Sequence, residues 1–380
     1  MNIGIDIRTL MDAQYSGVPE YTFNLVKEIL RLDTKNQYKL FYNSGRNISQ
    51  RMPEFSQANA ELIHTHYPNK IFNNIMQRLV RTPKIDRLLG VDLFFMPNIG
   101  FISLSDQCRK IITVHDLSFL RYPEFYSIKR RLWHKIINVK QILNSFDSIV
   151  AISQNTKQDL IELCGIENRK IKVIHNGISS QFQPISDQKK LDFTRQKYKL
   201  PDKFILTLST IEPRKNIEGV IRGFSKCLKE KMISNDYELV VAGARGWKSR
   251  SIYKIWQNSI NRDKIKFLGY IDPLDKACLY NLAELFIYPS FYEGFGFPPL
   301  EAAACETPVI ASSVSSLPEI IGDTAVMVNP FNYNEISQAI EQVLSIKNMG
   351  AGKANNSAIF LNKKYNWQSA ANDYVGLFRG

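Results

Sequence analysis

Cysteine is scarce in this 380-residue chain. Its five residues (Cys108, Cys164, Cys227, Cys278 and Cys305) are odd in number, widely scattered and without a C-x-x-C pair. They are expected to be reduced and mostly buried, as small hydrophobes of a cytoplasmic protein. No uninterrupted apolar run approaches the ~18 residues of a membrane-spanning helix. The opening MNIGIDIRTL carries Asp6 and Arg8 inside its first apolar stretch, so no signal peptide is expected. Glycine (19) and proline (16) are too few for a collagen or a disordered linker protein. No D-x-D pair and no His/Cys/Asp cluster has metal-ligand spacing, so no metal is expected. No recognised nucleic-acid-binding motif occurs, and a nucleic-acid partner is not expected.

What is present is a folded α/β composition, 44% hydrophobic and 22% charged, long enough for two domains. The net charge is +13, and residues 70–140 alone hold 13 basic against 5 acidic side chains. Such a surplus implies an anionic partner, whether nucleic acid, anionic lipid or a phosphorylated substrate. Its focus is Tyr126–Lys140, where Leu132, Trp133, Ile136 and Val139 can form one apolar side amid Lys129, Arg130, Arg131, Lys135 and Lys140. This helix can lie on an anionic membrane or pack its apolar face on its own domain.

Short runs rich in Ile, Val and Phe read as strands buried on both faces. They fall at Ile3–Ile7, Lys39–Tyr42, Leu93–Met96, Ile111–Val114, Ser148–Ala151 and Ile171–His175, then at Phe204–Ser209, Glu238–Ala242, Ile265–Leu268, Leu285–Pro289 and Pro308–Ser312. Helix-period stretches lie between them at Pro19–Leu32, Thr156–Cys164, Glu218–Lys229 and Glu335–Leu344. The alternation restarts after a polar, strand-poor stretch at 181–199, which predicts two doubly wound domains, 1–182 and 183–362. A last helical segment over 363–380, with Trp367, Ala371, Tyr374 and Phe378 at helical spacing, is expected to pack back on the first. In such sheets ligands bind beyond the carboxyl ends of strands.

The densest signal is Pro289-Ser-Phe-Tyr-Glu-Gly-Phe-Gly-Phe-Pro-Pro-Leu-Glu301. Gly294 and Gly296 permit a tight loop after a strand, and Pro298 and Pro299 suit the first turn of a helix. Glu293 and Glu301 bracket the loop and can both accept hydrogen bonds from one polyhydroxylated ligand. This arrangement resembles the E-x7-E signature of glycosyltransferase family 4, the retaining GT-B enzymes that use nucleotide-sugar donors. The resemblance implies two Rossmann-like domains facing each other across a cleft, with Glu301 on the donor ribose. Glu293 and the Gly294, Phe295, Gly296 and Phe297 backbone would meet the transferred hexose.

The resemblance extends to four further places. In Thr207-Leu-Ser-Thr-Ile-Glu-Pro-Arg-Lys-Asn216, Arg214 and Lys215 would neutralise the diphosphate as the glycosidic bond breaks, with Ser209 beside the donor. The family's earlier arginine is replaced here by Thr210. His115 of Thr113-Val-His-Asp-Leu117 resembles the histidine that reaches the donor sugar, with Asp116 orienting the ring or capping a turn. Gly17 and Val18 of Tyr15-Ser-Gly-Val-Pro-Glu-Tyr21 resemble the glycine-containing loop near the donor phosphates, Ser16 standing where many members have a second glycine. Tyr270 of Phe267-Leu-Gly-Tyr270 would lie by the nucleotide base, with Arg245 a further candidate for that pocket.

The implied reaction is hexosyl transfer, mannosyl from GDP-mannose first and UDP- or dTDP-sugars as other donors, without a cofactor. The acceptor would be a glycan or lipid-linked hydroxyl in surface polysaccharide or lipopolysaccharide synthesis, with peripheral contact at the inner face of the membrane. Two other readings are a GT-B nucleotide-sugar 2-epimerase and a non-enzymatic binder of anionic surfaces.

Overall fold

The computed structural model describes residues 1–11, 17–348 and 357–380. The chain divides into two units. One comprises Met1–Leu117, Trp133–Gly177 and Tyr365–Gly380; the other comprises Ser118–Leu132 and Ile178–Lys364.

The first unit is built on a seven-stranded sheet, with β1 (Asn2–Asp6), β2 (Gln37–Asn43), β3 (Ala60–Thr65), β4 (Leu93–Met96), β5 (Arg109–Val114), β6 (Ser148–Ala151) and β7 (Ile171–Val173). Every pairing is parallel, in the order β3-β2-β1-β4-β5-β6-β7. Ile3, Ile5, Leu93, Phe95, Ile111 and Ile149 are fully buried, each worth about 1.5–3 kcal/mol by transfer from water. β3 is the strand that the apolar-run pattern does not show. It lies at the sheet edge, with Glu61 and Leu62 exposed and its other four residues half-covered.

The final helix, Trp367–Arg379, covers this sheet. Tyr374 hydroxyl meets the hydroxyls of Tyr21 (2.7 Å) and Thr113 (2.7 Å), and Arg109 donates to the carbonyls of Leu377 and Phe378. Buried hydroxyls thus satisfy one another where unpaired ones would cost stability.

The second unit holds a six-stranded parallel sheet, with β8 (Phe204–Leu208), β9 (Glu238–Ala242), β10 (Ile265–Gly269), β11 (Leu285–Tyr288), β12 (Val309–Ser312) and β13 (Val326–Val328). Its order is β10-β9-β8-β11-β12-β13. Helices Ile217–Lys229 and Tyr333–Asn348 pack on it through Val220, Phe224, Ile336 and Ile340. The polar stretch 181–199 contains the helix Gln188–Tyr198, which buries little besides Leu191 and Thr194.

The amphipathic stretch 126–140 is two helices, Ile128–Ile137 and Val139–Asn144, divided at Asn138 in the left-handed region (φ 50°). The break turns Val139 into the core, while Leu132, Trp133 and Ile136 stay exposed at 58%, 52% and 44%. All five cysteines are buried and unpaired. Among the described residues no helix is long and apolar enough to cross a membrane.

Candidate active site

In the second sheet the strand order reverses between β8 and β11, so their connections leave on opposite sides and open a crevice beyond their carboxyl ends. The two loops there carry the two densest motifs. The loop after β8 turns through Pro213–Lys215 into the helix capped by Asn216. Asn216 accepts from the Gly219 N–H and donates to the carbonyls of Pro289 and Pro330, tying this loop to the end of β11. Phe291 N–H donates to the Arg214 carbonyl, and Ser290 Oγ lies 3.0 Å from the same oxygen, closing the seam.

This stitching brings three expected residues into one cluster. Lys215 Nζ lies 2.6 Å from Glu293 Oε1 and 2.7 Å from the Tyr288 hydroxyl. Arg214 Nη1 donates to Glu293 Oε2 (3.2 Å) and the Tyr292 carbonyl (2.7 Å), and its other nitrogens meet Glu212 Oε1. Ser290 donates its hydroxyl to Glu293 Oε1 at 2.6 Å. Burial works against the Glu293 charge, but the Lys215 ammonium and the Arg214 guanidinium outweigh it and hold the carboxyl at about 2. Burial, then the neighbouring Arg214, presses the Lys215 ammonium below its ordinary value. Burial raises Glu212, whose Oε2 has no hydrogen-bond partner among the described residues. A largely buried site with two adjacent cations on preset geometry is suited to a developing dianion.

The Glu301 carboxylate, on the helix Phe297–Ala304, has different partners. Lys276 donates to Oε1 (2.8 Å) and the Tyr280 hydroxyl to Oε2 (2.7 Å). Gly296 caps this helix at φ 106°, and a Cβ there would run into Leu317, so only glycine fits. Phe295 is buried with its ring tilted against that of Phe297, and Ser316 ties down the carbonyls of Glu293 and Phe295. Ser209 N–H is engaged by the Ala242 carbonyl, and its hydroxyl donates to Thr210. Tyr270 is 48% exposed beyond β10, and Arg245 lies over the Tyr253 ring. Residues 118–132 pack on this unit: Phe125 stacks on Phe291, and Trp247 donates to the Phe125 carbonyl.

In the first unit, His115 follows β5. Its Nε2 lies 2.8 Å from the Pro97 carbonyl, and Tyr21 meets its ring edge-on. Burial lowers the imidazole to about 4 despite that carbonyl and Asp116, so the ring is neutral at pH 7. A carbonyl only accepts, which places the proton on Nε2 and leaves Nδ1 as an acceptor. Gly17 caps the helix Val18–Leu32 at φ 61°, with Val18 its first residue; Tyr15 and Ser16 lie outside the described residues.

Sequence reasoning missed Glu212, Ser290, Lys276 and Tyr280. Glu212 and Ser290 sit inside the quoted motifs, whereas Lys276 and Tyr280 lie in an unremarkable helix 25 and 21 residues from Glu301. Among the described residues no group of three His, Cys, Asp or Glu is placed to hold a metal.

Comparison with known proteins bears on both units. The family model described as Glycosyltransferase Family 4 matches residues 15–182, and that described as Glycosyl transferases group 1 matches residues 188–358. The chain is 30% identical over 382 residues to O-antigen chain mannosyltransferase B of Escherichia coli, covering 96% of each chain. It is 28% identical over 235 residues to O-antigen chain mannosyltransferase RfbU of Salmonella typhimurium, covering 62% of this chain and 61% of that one. Among solved structures, sucrose-phosphate synthase from Thermosynechococcus elongatus superposes with a TM-score of 0.77 at 21% identity, covering 100% of this chain and 98% of that one. WaaG, a glycosyltransferase involved in lipopolysaccharide biosynthesis, does so at 0.71 and 14%, covering 100% of both. Two parallel Rossmann-like sheets, family-model matches to both and a full-length relative together establish that the chain is a glycosyltransferase of family 4, with the GT-B fold and among the mannosyltransferase-like members.

Proposed function

We propose that the protein transfers a mannosyl unit from GDP-mannose, with retention, to a glycan or lipid-linked hydroxyl in surface polysaccharide synthesis. The observation that carries this reading is the buried Arg214–Lys215–Glu293 cluster at the β8/β11 switch point. The mannosyl choice rests on the relatives, which include O-antigen mannosyltransferases.

In this mechanism Arg214 and Lys215 supply adjacent positive charge to the departing diphosphate. The acceptor hydroxyl attacks from the face the diphosphate leaves and gives its proton to a leaving phosphate oxygen. Glu293, ionised throughout the physiological range, keeps both cations in place and accepts a hydroxyl of the hexose. Glu301 accepts one bond on each oxygen in the structure and retains capacity for the ribose hydroxyls. Neutral His115 offers Nδ1 to a donor-sugar hydroxyl, and Gly17, Val18, Ser209 and Tyr270 line the donor. The exposed Leu132, Trp133 and Ile136 and adjacent cations support peripheral contact with the inner face of an anionic membrane.

The test is thermal stabilisation by GDP, UDP, ADP and dTDP, in EDTA, of the wild type and Glu301→Ala. A ligand at 100 times its Kd adds about 2.7 kcal/mol to the folded state. GDP should stabilise the wild type most and lose its effect in the variant. Equal response to no nucleotide, or an unaltered response in Glu301→Ala, would overturn the donor-site assignment.

A further inference from the structure

The first unit contains a cavity of about 580 Å³ that none of the preceding chemistry uses. That volume is within the ~300–1,000 Å³ common for small-molecule sites. It opens between the π-helical stretch Phe72–Val80, the loop 100–106 and the two helices that meet at Asn138. Four cations line it, Arg78, Arg81, Lys84 and Lys110, against one carboxylate, the exposed Asp106. The apolar part of the wall includes Phe101, Ile102, Leu104, Ile136 and Ile142.

The cavity is firmly built. Gln77, buried inside it, accepts from the Ser103 N–H at 2.7 Å and donates to the Pro83 carbonyl, while Ser103 hydroxyl donates to the Arg81 carbonyl. The cations make no ion pair among the described residues. Arg78 donates to the Ile136 carbonyl (3.1 Å) and lies over the Phe101 ring, and Lys84 donates to the Leu104 carbonyl (3.2 Å). The buried Asp86 accepts from both the N–H and the hydroxyl of Ser105. Carbonyls orient these side chains without neutralising them, so their charge is available to an anion. Beside them, Leu79 and Ile136 are exposed at 68% and 44%. Concentrated positive charge adjoining an apolar wall matches a ligand that is itself divided into a phosphoryl head and a hydrocarbon chain.

We infer that this cavity binds one phosphorylated amphiphile, with its phosphoryl group among Arg78, Arg81, Lys84 and Lys110 and its alkyl chain along Ile102, Leu104 and Ile142. The site is independent of the donor reading, and its test involves no glycosyl transfer.

The probe is dodecyl phosphate below its micelle concentration, titrated into the full-length protein by calorimetry beside inorganic phosphate and dodecyl maltoside. One-to-one binding, at least tenfold tighter than either control compound, is expected. The double variant Arg81→Glu/Lys84→Glu should lose at least tenfold while keeping its thermal transition, and Ile102→Ser should narrow the advantage over inorganic phosphate. Lys129→Glu/Arg131→Glu, outside the cavity, should bind as the wild type does. Equal binding of dodecyl phosphate and dodecyl maltoside, or retention by the Arg81/Lys84 variant, would overturn the proposal. So would binding only to phosphatidylglycerol vesicles with loss in the Lys129/Arg131 variant, which would assign the charge to general membrane adsorption.

Discussion

Two groups of cations in this molecule are held in opposite ways. Arg214 and Lys215 are pinned in the second unit by the carboxylates of Glu212 and Glu293. Arg78 and Lys84 of the first unit rest on backbone carbonyls, Arg78 also on the Phe101 ring, with no carboxylate partner among the described residues. The difference shows that a count of basic residues says little by itself. The first unit's cations bring their full charge to an anion but stabilise the fold little. The second unit's are bound into the fold, and their geometry is fixed before a ligand arrives.

The comparison is sharpened most by breaking the paired group. Lys215→Met leaves Glu293 buried with Arg214 as its remaining cation and the Ser290 hydroxyl. It should destabilise the protein by about 3–5 kcal/mol, read by denaturant unfolding, as expected when one partner of a buried pair is removed. Sugar transfer should fall by about 10²–10³-fold, the scale seen when one charge-stabilising donor is removed. Glu293→Gln should reveal itself in pH dependence. The Glu293 carboxyl sits at about 2 in the folded state, below the ~4.3 of an unfolded glutamate. Its contribution is therefore complete above about pH 4.5 and lost as pH falls toward 2. Unfolding measured from pH 6 to pH 2.5 should show wild-type stability dropping by ~2–3 kcal/mol more than that of Glu293→Gln. Lys276→Met leaves the buried Glu301 with the neutral Tyr280 hydroxyl and should cost a comparable amount, about 3–5 kcal/mol. At the small end, Lys84→Ala should change stability by less than about 0.5 kcal/mol. A loss as large as that of Lys215→Met would erase the contrast.

Much of this was legible in the chain. The buried strands announce themselves because a parallel sheet covered on both faces needs continuous apolar runs, as in Leu93–Met96 and Leu285–Tyr288. Two of the four edge strands do not: β3 keeps Glu61 and Leu62 in solvent, and β13 is only three residues long. The helix Gln188–Tyr198 hides in a polar stretch because it buries so little. Asn138 interrupts an amphipathic pattern that reads as continuous, since a left-handed residue leaves no trace in hydrophobic period. At the site, the E-x7-E and Arg-Lys motifs were visible, and the switch-point topology explains why those loops meet. Glu212 as the second anchor of Arg214, and Lys276 with Tyr280 on Glu301, required the fold. Pairing across elements has no local signature.

The most direct measurement compares GDP with guanosine by calorimetry, in EDTA, on the wild type and Lys215→Met. If Arg214 and Lys215 form the diphosphate seat, GDP should bind the wild type at least 100-fold tighter than guanosine, and that ratio should collapse to tenfold or less in the variant. An unchanged ratio in a folded Lys215→Met protein would contradict the account.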